Sequence, residues 1–156
     1  MPSEPIKYID RTRAFYSAQD FSPYNYAHHE STPFHRLQKP LSECRVAIVL
    51  TAVTHGDIPK NLRGAESHSL DDVPENFRTD ELSWDKVTTH TNDRQSFFPL
   101  EVLQSLETEL MIGSLAPRYH FVPTEYSQRN TRENDAPAIV EACIEDEVDI
   151  ALLIPL

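Results

Sequence analysis

The 156-residue sequence predicts an α/β fold in which helices flank a parallel sheet. Two kinds of segment support this prediction. Short apolar runs rich in β-branched residues are typical of strands buried on both faces, whereas apolar residues that recur every three or four positions are typical of helices. The two kinds alternate along the chain as strand, helix, strand, helix, strand, which is the order that builds parallel sheets.

The sequence predicts three longer strands and a short fourth strand, which is described with the helices below. The first covers residues 44–53, follows Pro40 and ends in the polar loop 54–57. The second, partly exposed, covers residues 83–90, and the third is a buried strand at 148–154. The polar residues 57–82 between the first two are predicted to be irregular.

Two helices are predicted between the later strands. Leucines at three-residue spacing place one helix at 99–109, with Pro99 in its first turn and Gly113 just past its end. A turn at 111–115 and a short strand at 119–122 follow. The second helix covers 131–147, with Pro137 in its first turns. The expected architecture is Rossmann-like and incomplete at the C-terminus, because no helix follows the last strand to cover it.

Residues 1–40 are predicted to form an aromatic and proline-rich arm in front of an α/β domain at 41–156, which we expect to be truncated. Disordered tails contain few aromatic residues, so this arm is expected to pack on its own domain or on a partner. The aromatic residues of the arm are Tyr8, Phe15, Tyr16, Phe21, Tyr24, Tyr26 and Phe34. For His28, His29 and His35 a metal site is a weaker interpretation than a solvated, proline-flanked segment, since adjacent histidines point apart in regular structure.

The composition and the N-terminal sequence disfavour several classes of function. A net charge of −11 disfavours binding to nucleic acid and to anionic membranes. The N-terminus lacks the pattern of a secretory signal, so the cytoplasm is the expected compartment. Both Cys44 and Cys143 are predicted to be small buried hydrophobic residues, and no glycine-rich phosphate-binding loop is present.

Polar side chains follow the predicted strands at the edge where ligands collect in open α/β sheets. These are His55, Asp57, His90 and Asp93, which are expected either to line a site or only to cap helices and turns. Arg118, in the turn after Gly113, either grips a substrate carboxylate with two hydrogen bonds or pairs with one of the 25 acidic side chains of the chain.

Four segments carry a resemblance to a known family. Residues 37–51, Leu-Gln-Lys-Pro-Leu-Ser-Glu-Cys-Arg-Val-Ala-Ile-Val-Leu-Thr, resemble the opening strand of the selenoprotein B family of the glycine/sarcosine/betaine/D-proline reductases. Residues 97–103, 112–118 and 148–153 are similar to later family segments in order and approximate spacing. Together they span most of residues 37–156.

The resemblance implies an oxidoreductase that reductively cleaves the C–N bond α to the carboxylate of a small amine-bearing substrate. In this family a selenocysteine or cysteine, followed by Pro-x-Cys-His, comes directly after the strand that matches 148–155. We therefore expect the catalytic atom immediately after Leu156, with the UGA codon read as a stop, and no other cofactor. A selenolate is favoured because a free thiol, with a pKa near 8.5, is mostly protonated at neutral pH.

The resemblance also implies catalytic roles and partners. His55 and His90 would protonate the leaving amine, and Arg118 would bind the carboxylate. Other reductase subunits and a thiol reductant would be the partners, and the chain alone is expected to be inactive. The alternatives are a non-catalytic truncated paralogue that acts as a protein-interaction module, and a small metal- or amine-binding protein that uses the histidines.

Overall fold

The computed structural model describes residues 7–23, 26–52, 64–78, 87, 90–124 and 127–155. The chain divides into two compact units, Met1–Phe34 and His35–Leu156. The predicted arm of residues 1–40 contains the first unit, whose helix α1 is Tyr8–Ser17 and has no buried residue. In this unit Tyr16 makes edge-on ring contacts with Phe15 and Phe21, at centroid distances of 5.4 and 6.1 Å.

Within its described residues the second unit contains five strands and three further α-helices. The strands are β1 (Arg45–Leu50), β2 (Glu66–Ser69), β3 (Ser114–Leu115), β4 (Arg118–Phe121) and β5 (Ile150–Ile154). The helices are α2 (Leu100–Thr108), α3 (Gln128–Asn130) and α4 (Ala136–Glu145), and a π turn, Thr131–Asp135, joins α3 to α4.

Strand β1 lies at the centre of the sheet. β5 pairs with it in parallel from Val46↔Ile150 to Leu50↔Ile154 and occupies one side. β3 and β4 share the other side, also in parallel, and β2 pairs antiparallel with the outer side of β4. The prediction of an α/β fold with a mostly parallel, Rossmann-like open sheet is confirmed.

The parallel register determines which residues share a face of the sheet. Ile48 and Leu50 of β1 point to the face of α2, where they join a buried aromatic cluster. The rings of that cluster belong to Phe77, Phe97, Phe98 and Tyr119. His120 of β4 points to the opposite face, towards α4, because side chains alternate along a strand.

Two sequence predictions about strands need correction, and a third is not tested. Residues 57–82 are predicted to be irregular but contain β2, whose polar sequence Glu-Ser-His-Ser fits a strand at the edge of the sheet. The predicted strand 83–90 lies almost entirely outside the described residues. The last strand is predicted to be buried, yet among the described strands β5 pairs with β1 alone and lies at the edge of the sheet, where Leu153 is 70% exposed.

The second predicted helix starts earlier than residue 131. Ser127 caps it, its Oγ accepting a hydrogen bond from the Asn130 N–H at 3.2 Å, and helical backbone continues to Glu145. The π turn directly precedes Pro137, which has no N–H to give to the helix. Asp135 in this turn is buried and accepts a hydrogen bond from the Ala65 N–H at 3.1 Å, which ties the turn to the start of β2.

Candidate functional site

The carboxyl ends of β1, β4 and β5 lie at the same edge of the sheet because the three strands are parallel. This carboxyl edge is where ligands bind in open α/β sheets. Of the residues that follow these strands, Ala52 is fully buried. The hydroxyl of Thr124 is buried and has no hydrogen-bond partner within the part of the chain that the structure describes. Thr51 and Thr124 are thus the described residues directly after these strands whose side chains can form hydrogen bonds.

Two of the four polar residues predicted for this edge, His55 and Asp57, lie outside the described residues. His90 is exposed, and its Nδ1 accepts a hydrogen bond from the Asn92 N–H at 3.4 Å. Asp93 caps the short helix Arg94–Ser96, because its carboxylate accepts the Gln95 N–H at 3.1 Å. For Asp93 the capping interpretation is thus the one that the structure supports.

Arg118 lies at the edge of the sheet opposite the carboxyl ends of the strands. It is the first residue of β4, and the register Leu50↔Phe121 puts it at the amino end of the sheet. Its Nε and Nη2 donate to the two carboxylate oxygens of Asp146 at 2.8 and 3.0 Å. Nη2 also donates to Glu145 and to the Ala142 carbonyl. The hydrogen bonds to Asp146 and Glu145 raise the pKa of Arg118 above its usual range.

The amino edge carries a second group of ion pairs. The Lys39 ammonium lies 2.7 Å from an Asp149 carboxylate oxygen, which also accepts the Arg45 backbone N–H at 2.7 Å. These two donors hold the pKa of Asp149 below its usual value. The Arg45 guanidinium donates to the Asp146 carbonyl at 2.6 Å. The network fixes the turn between α4 and β5. Its two cations, Lys39 and Arg45, already bind carboxylate or carbonyl oxygens of the protein.

A chain of three side chains crosses the face of the sheet that carries α4. Ser67 of β2 and His120 of β4 are cross-strand partners, and Ser67 Oγ lies 2.9 Å from His120 Nδ1. On the other side of the ring, His120 Nε2 lies 3.8 Å from the Cys143 Sγ of α4. His120 is completely buried, whereas Cys143 is partly exposed. The prediction that both cysteines are buried holds for Cys44 only.

The surroundings of His120 and Cys143 keep both of these side chains neutral. Burial, with a further contribution from Arg118, lowers the pKa of His120 below its ordinary value. Burial and the nearby Asp146 raise the pKa of the Cys143 thiol. The pair is therefore a neutral imidazole beside a neutral thiol at physiological pH. A thiolate–imidazolium pair, as in cysteine proteases, is not favoured here.

Sequence reasoning did not single out Ser67, His120 or Cys143 as a set. The available signal was His120 itself, a titratable residue between two aromatic residues in a predicted strand. Its partners come from elements far apart in the chain, and Ser67 lies in the strand that the sequence pattern did not predict.

The histidines of the first 40 residues do not form a metal centre with the described residues. His28, His29 and His35 are exposed. Within the described ranges no three His, Cys, Asp or Glu side chains come together as a metal ion would need.

No described helix combines the length and the apolar character that a membrane crossing requires.

Comparison of the chain with protein-family models, with curated proteins and with solved structures finds no match. The site must therefore be interpreted from its own geometry.

Burial of neutral His120 predicts that the fold loses stability in acid. Because the folded-state pKa lies below the unfolded value of about 6.5, the unfolded chain binds the proton first as the pH falls. The contribution of His120 to stability is thus present above pH ~6.5 and is lost below it, by up to about 1.4 kcal/mol per pH unit. Urea unfolding between pH 7.5 and 5 measures this slope.

The control separates His120 from other titrating groups. His120→Gln removes the titration and should flatten the pH dependence of the free energy of unfolding. The exposed His90→Gln should leave the wild-type slope unchanged. Equal slopes for wild type and His120→Gln would show that the buried imidazole does not cause the acid sensitivity.

Proposed function

We propose that this chain is a component of a selenol- or thiol-dependent reductase that cleaves the C–N bond α to the carboxylate of glycine, sarcosine, betaine or D-proline. One observation carries the proposal. The four segments that resemble the selenoprotein B family are separated in sequence, yet they belong to one connected part of the unit. They comprise β1, the beginning of α2, the turn from β3 into β4, and β5. A resemblance spread over packed neighbours is more specific than the same resemblance in unconnected segments.

The nucleophile of this reaction is proposed to come from outside these 156 residues. The chain has two cysteines. The Cys44 thiol is fully buried, and its Sγ lies 3.4 Å from the Pro40 carbonyl at the amino side of β1. The Cys143 thiol has a raised pKa and faces His120 under α4. Neither sulfur is placed to attack a substrate at the carboxyl edge, so the attacking selenol or thiol is assigned to a partner subunit or a further segment.

Among the proposed catalytic residues, His55 and His90 keep the roles that the resemblance implies, the protonation of the leaving amine. Arg118 is a weaker candidate for carboxylate binding, because Asp146, Glu145 and the Ala142 carbonyl already accept its hydrogen bonds.

The test is an amine-release assay on two preparations. The isolated chain and the assembly purified from cells that produce it natively are each incubated with dithiothreitol and one of the four substrates. We expect release, or ring opening for D-proline, from the assembly alone. Turnover by the isolated chain would refute the external nucleophile, and an assembly that processes none of the substrates would refute the reductase.

A second candidate is a non-catalytic protein-interaction module, and the exposure of β5 favours it. All five residues of β5 are apolar, and Leu152 and Leu153, which point to opposite faces of the sheet, are 37% and 70% exposed. Edge strands usually carry charges or proline that block further pairing, and Ile150–Ile154 carries neither. Such a strand suits pairing with another polypeptide.

Leu153→Lys tests this candidate. Because Leu153 is exposed, its replacement should change the free energy of unfolding by less than about 1 kcal/mol and should abolish the native assembly in size-exclusion chromatography. Val102→Lys on α2, where the side chain is 56% exposed, is the matched control and should leave the assembly intact. An assembly that survives Leu153→Lys would contradict the interaction role of β5.

A further inference from the structure

We propose that Cys143 is a site of thiol–disulfide exchange with small disulfides, in which His120 accepts the thiol proton and Ser67 positions the imidazole ring. The arrangement has the three parts that an activated nucleophile requires: a nucleophile, a base within reach of it, and a third group that orients the base. The distances are 3.8 Å from Sγ to Nε2 and 2.9 Å from Nδ1 to Oγ.

The ring orientation follows from the contacts. When His120 carries its proton on Nδ1, it donates to the Ser67 hydroxyl, and the lone pair of Nε2 faces the thiol. The ring is completely buried, so water does not compete for this lone pair. Neutral His120 is in the protonation state that a proton acceptor needs.

Accessibility distinguishes Cys143 from the other cysteine. Cys143 is partly exposed near the C-terminal end of α4, whereas Cys44 is fully buried. Three carboxylates follow Cys143, those of Glu145, Asp146 and Glu147, and they pair with the two guanidiniums of Arg118 and Arg45. A small net negative charge therefore remains, and both guanidiniums are already paired, which disfavours an anionic disulfide. The disulfides that fit are therefore small and either uncharged or cationic.

The exchange step is balanced without any further reactant. As Cys143 Sγ attacks one sulfur of the disulfide, its proton moves to His120 Nε2. The disulfide S–S bond breaks, a mixed disulfide forms on Cys143, and the leaving thiolate takes the electron pair. The imidazolium then returns the proton to that thiolate. Cys143 is oxidised, and the departing half of the disulfide is reduced to a thiol. This reaction does not require the reductase activity proposed above.

Uncharged 4,4′-dithiodipyridine is the probe, with peptide mass spectrometry to assign each adduct. An unassisted thiol reacts through its thiolate, so its rate rises nearly tenfold per pH unit below its pKa. With His120 as proton acceptor, neutral thiol and neutral imidazole react together. The rate at Cys143 should then change less than threefold per pH unit between pH 6.5 and 8. The same chain unfolded in urea supplies the unassisted profile.

Three variants test the roles of His120 and Ser67 in this reaction. His120→Gln should slow modification of Cys143 at pH 7 at least tenfold and restore the steep pH profile. Ser67→Ala should slow it about three- to tenfold. Ser69→Ala, on the same strand but bonded to the Asp71 N–H, should have no effect. A steep profile for folded wild type overturns the proposal, as does an unchanged rate in Ser67→Ala. These two results decide the matter even if His120→Gln does not fold.

Discussion

Replacing Gly113 with alanine is expected to lower the free energy of unfolding by about 3 kcal/mol. A Cβ at this position would lie 2.6 Å from the Glu43 carbonyl carbon and 2.9 Å from the backbone nitrogen and oxygen of Cys44. All three atoms belong to the backbone that leads into β1, so no side chain can rotate away to make room. Urea unfolding at neutral pH measures the loss.

Gly64 provides the matched control. A Cβ built there has no heavy atom within 4 Å, so Gly64→Ala should change stability by no more than a few tenths of a kcal/mol. Equal effects of the two substitutions would mean that the close approach of Gly113 to β1 does not constrain the fold. A larger loss for Gly113→Ala ties the effect to the strand contact, since both changes add the same methyl group.

The role of Gly113 illustrates what sequence patterns miss. The sequence predicts a helix at 99–109 with Gly113 just past its end. In the structure the helix ends at Thr108, and Leu110 adopts the left-handed conformation beyond it with a φ of 58°. Gly113 instead donates its N–H to the Cys44 carbonyl at 2.9 Å, where β3 joins β1. A helix cap is a local feature, whereas this contact joins residues far apart in the chain.

The elements that the sequence predicted correctly are those with strong periodic patterns. β1 and α2 have apolar residues that pack into one core, so their types and positions follow from pattern alone. β2 is short and polar, and it becomes a strand only because β4 offers it an edge. β5 was predicted as a strand but not as an exposed one, because an apolar run does not reveal what covers it.

The candidate site was less predictable than the fold. The order of parallel strands predicts which edge of the sheet binds ligands. It does not predict the distances between individual side chains. The link from Cys143 to His120 and Ser67 depends on the register between β2 and β4 and on the position of α4 above them. Sequence reasoning left two partners open for Arg118, a substrate carboxylate or an acidic residue of the chain. The structure supports the second, with two-pronged geometry on Asp146.

Arg118→Met is expected to lower the free energy of unfolding by about 2 kcal/mol. The substitution keeps much of the aliphatic length but removes every hydrogen bond between β4 and the end of α4 that the guanidinium makes. Asp146, whose side chain is 11% exposed, would remain without this charged partner. The Arg118 side chain is itself 30% exposed, so solvent reduces the loss relative to a fully buried pair. Urea unfolding of the isolated chain measures it.

Two carboxylate variants and one conservative change identify the source of the loss. Asp146→Asn should cost nearly as much as Arg118→Met, whereas Glu145→Gln should cost little, because the Glu145 side chain is 61% exposed. Arg118→Lys should fall between wild type and Arg118→Met, since an ammonium cannot hold both oxygens of Asp146 in the same plane. If Arg118→Met unfolds like wild type yet weakens substrate binding by the native assembly, Arg118 belongs to the substrate site after all. A stability loss shared with Asp146→Asn assigns it to the joint between β4 and α4, and carboxylate recognition must then come from other residues.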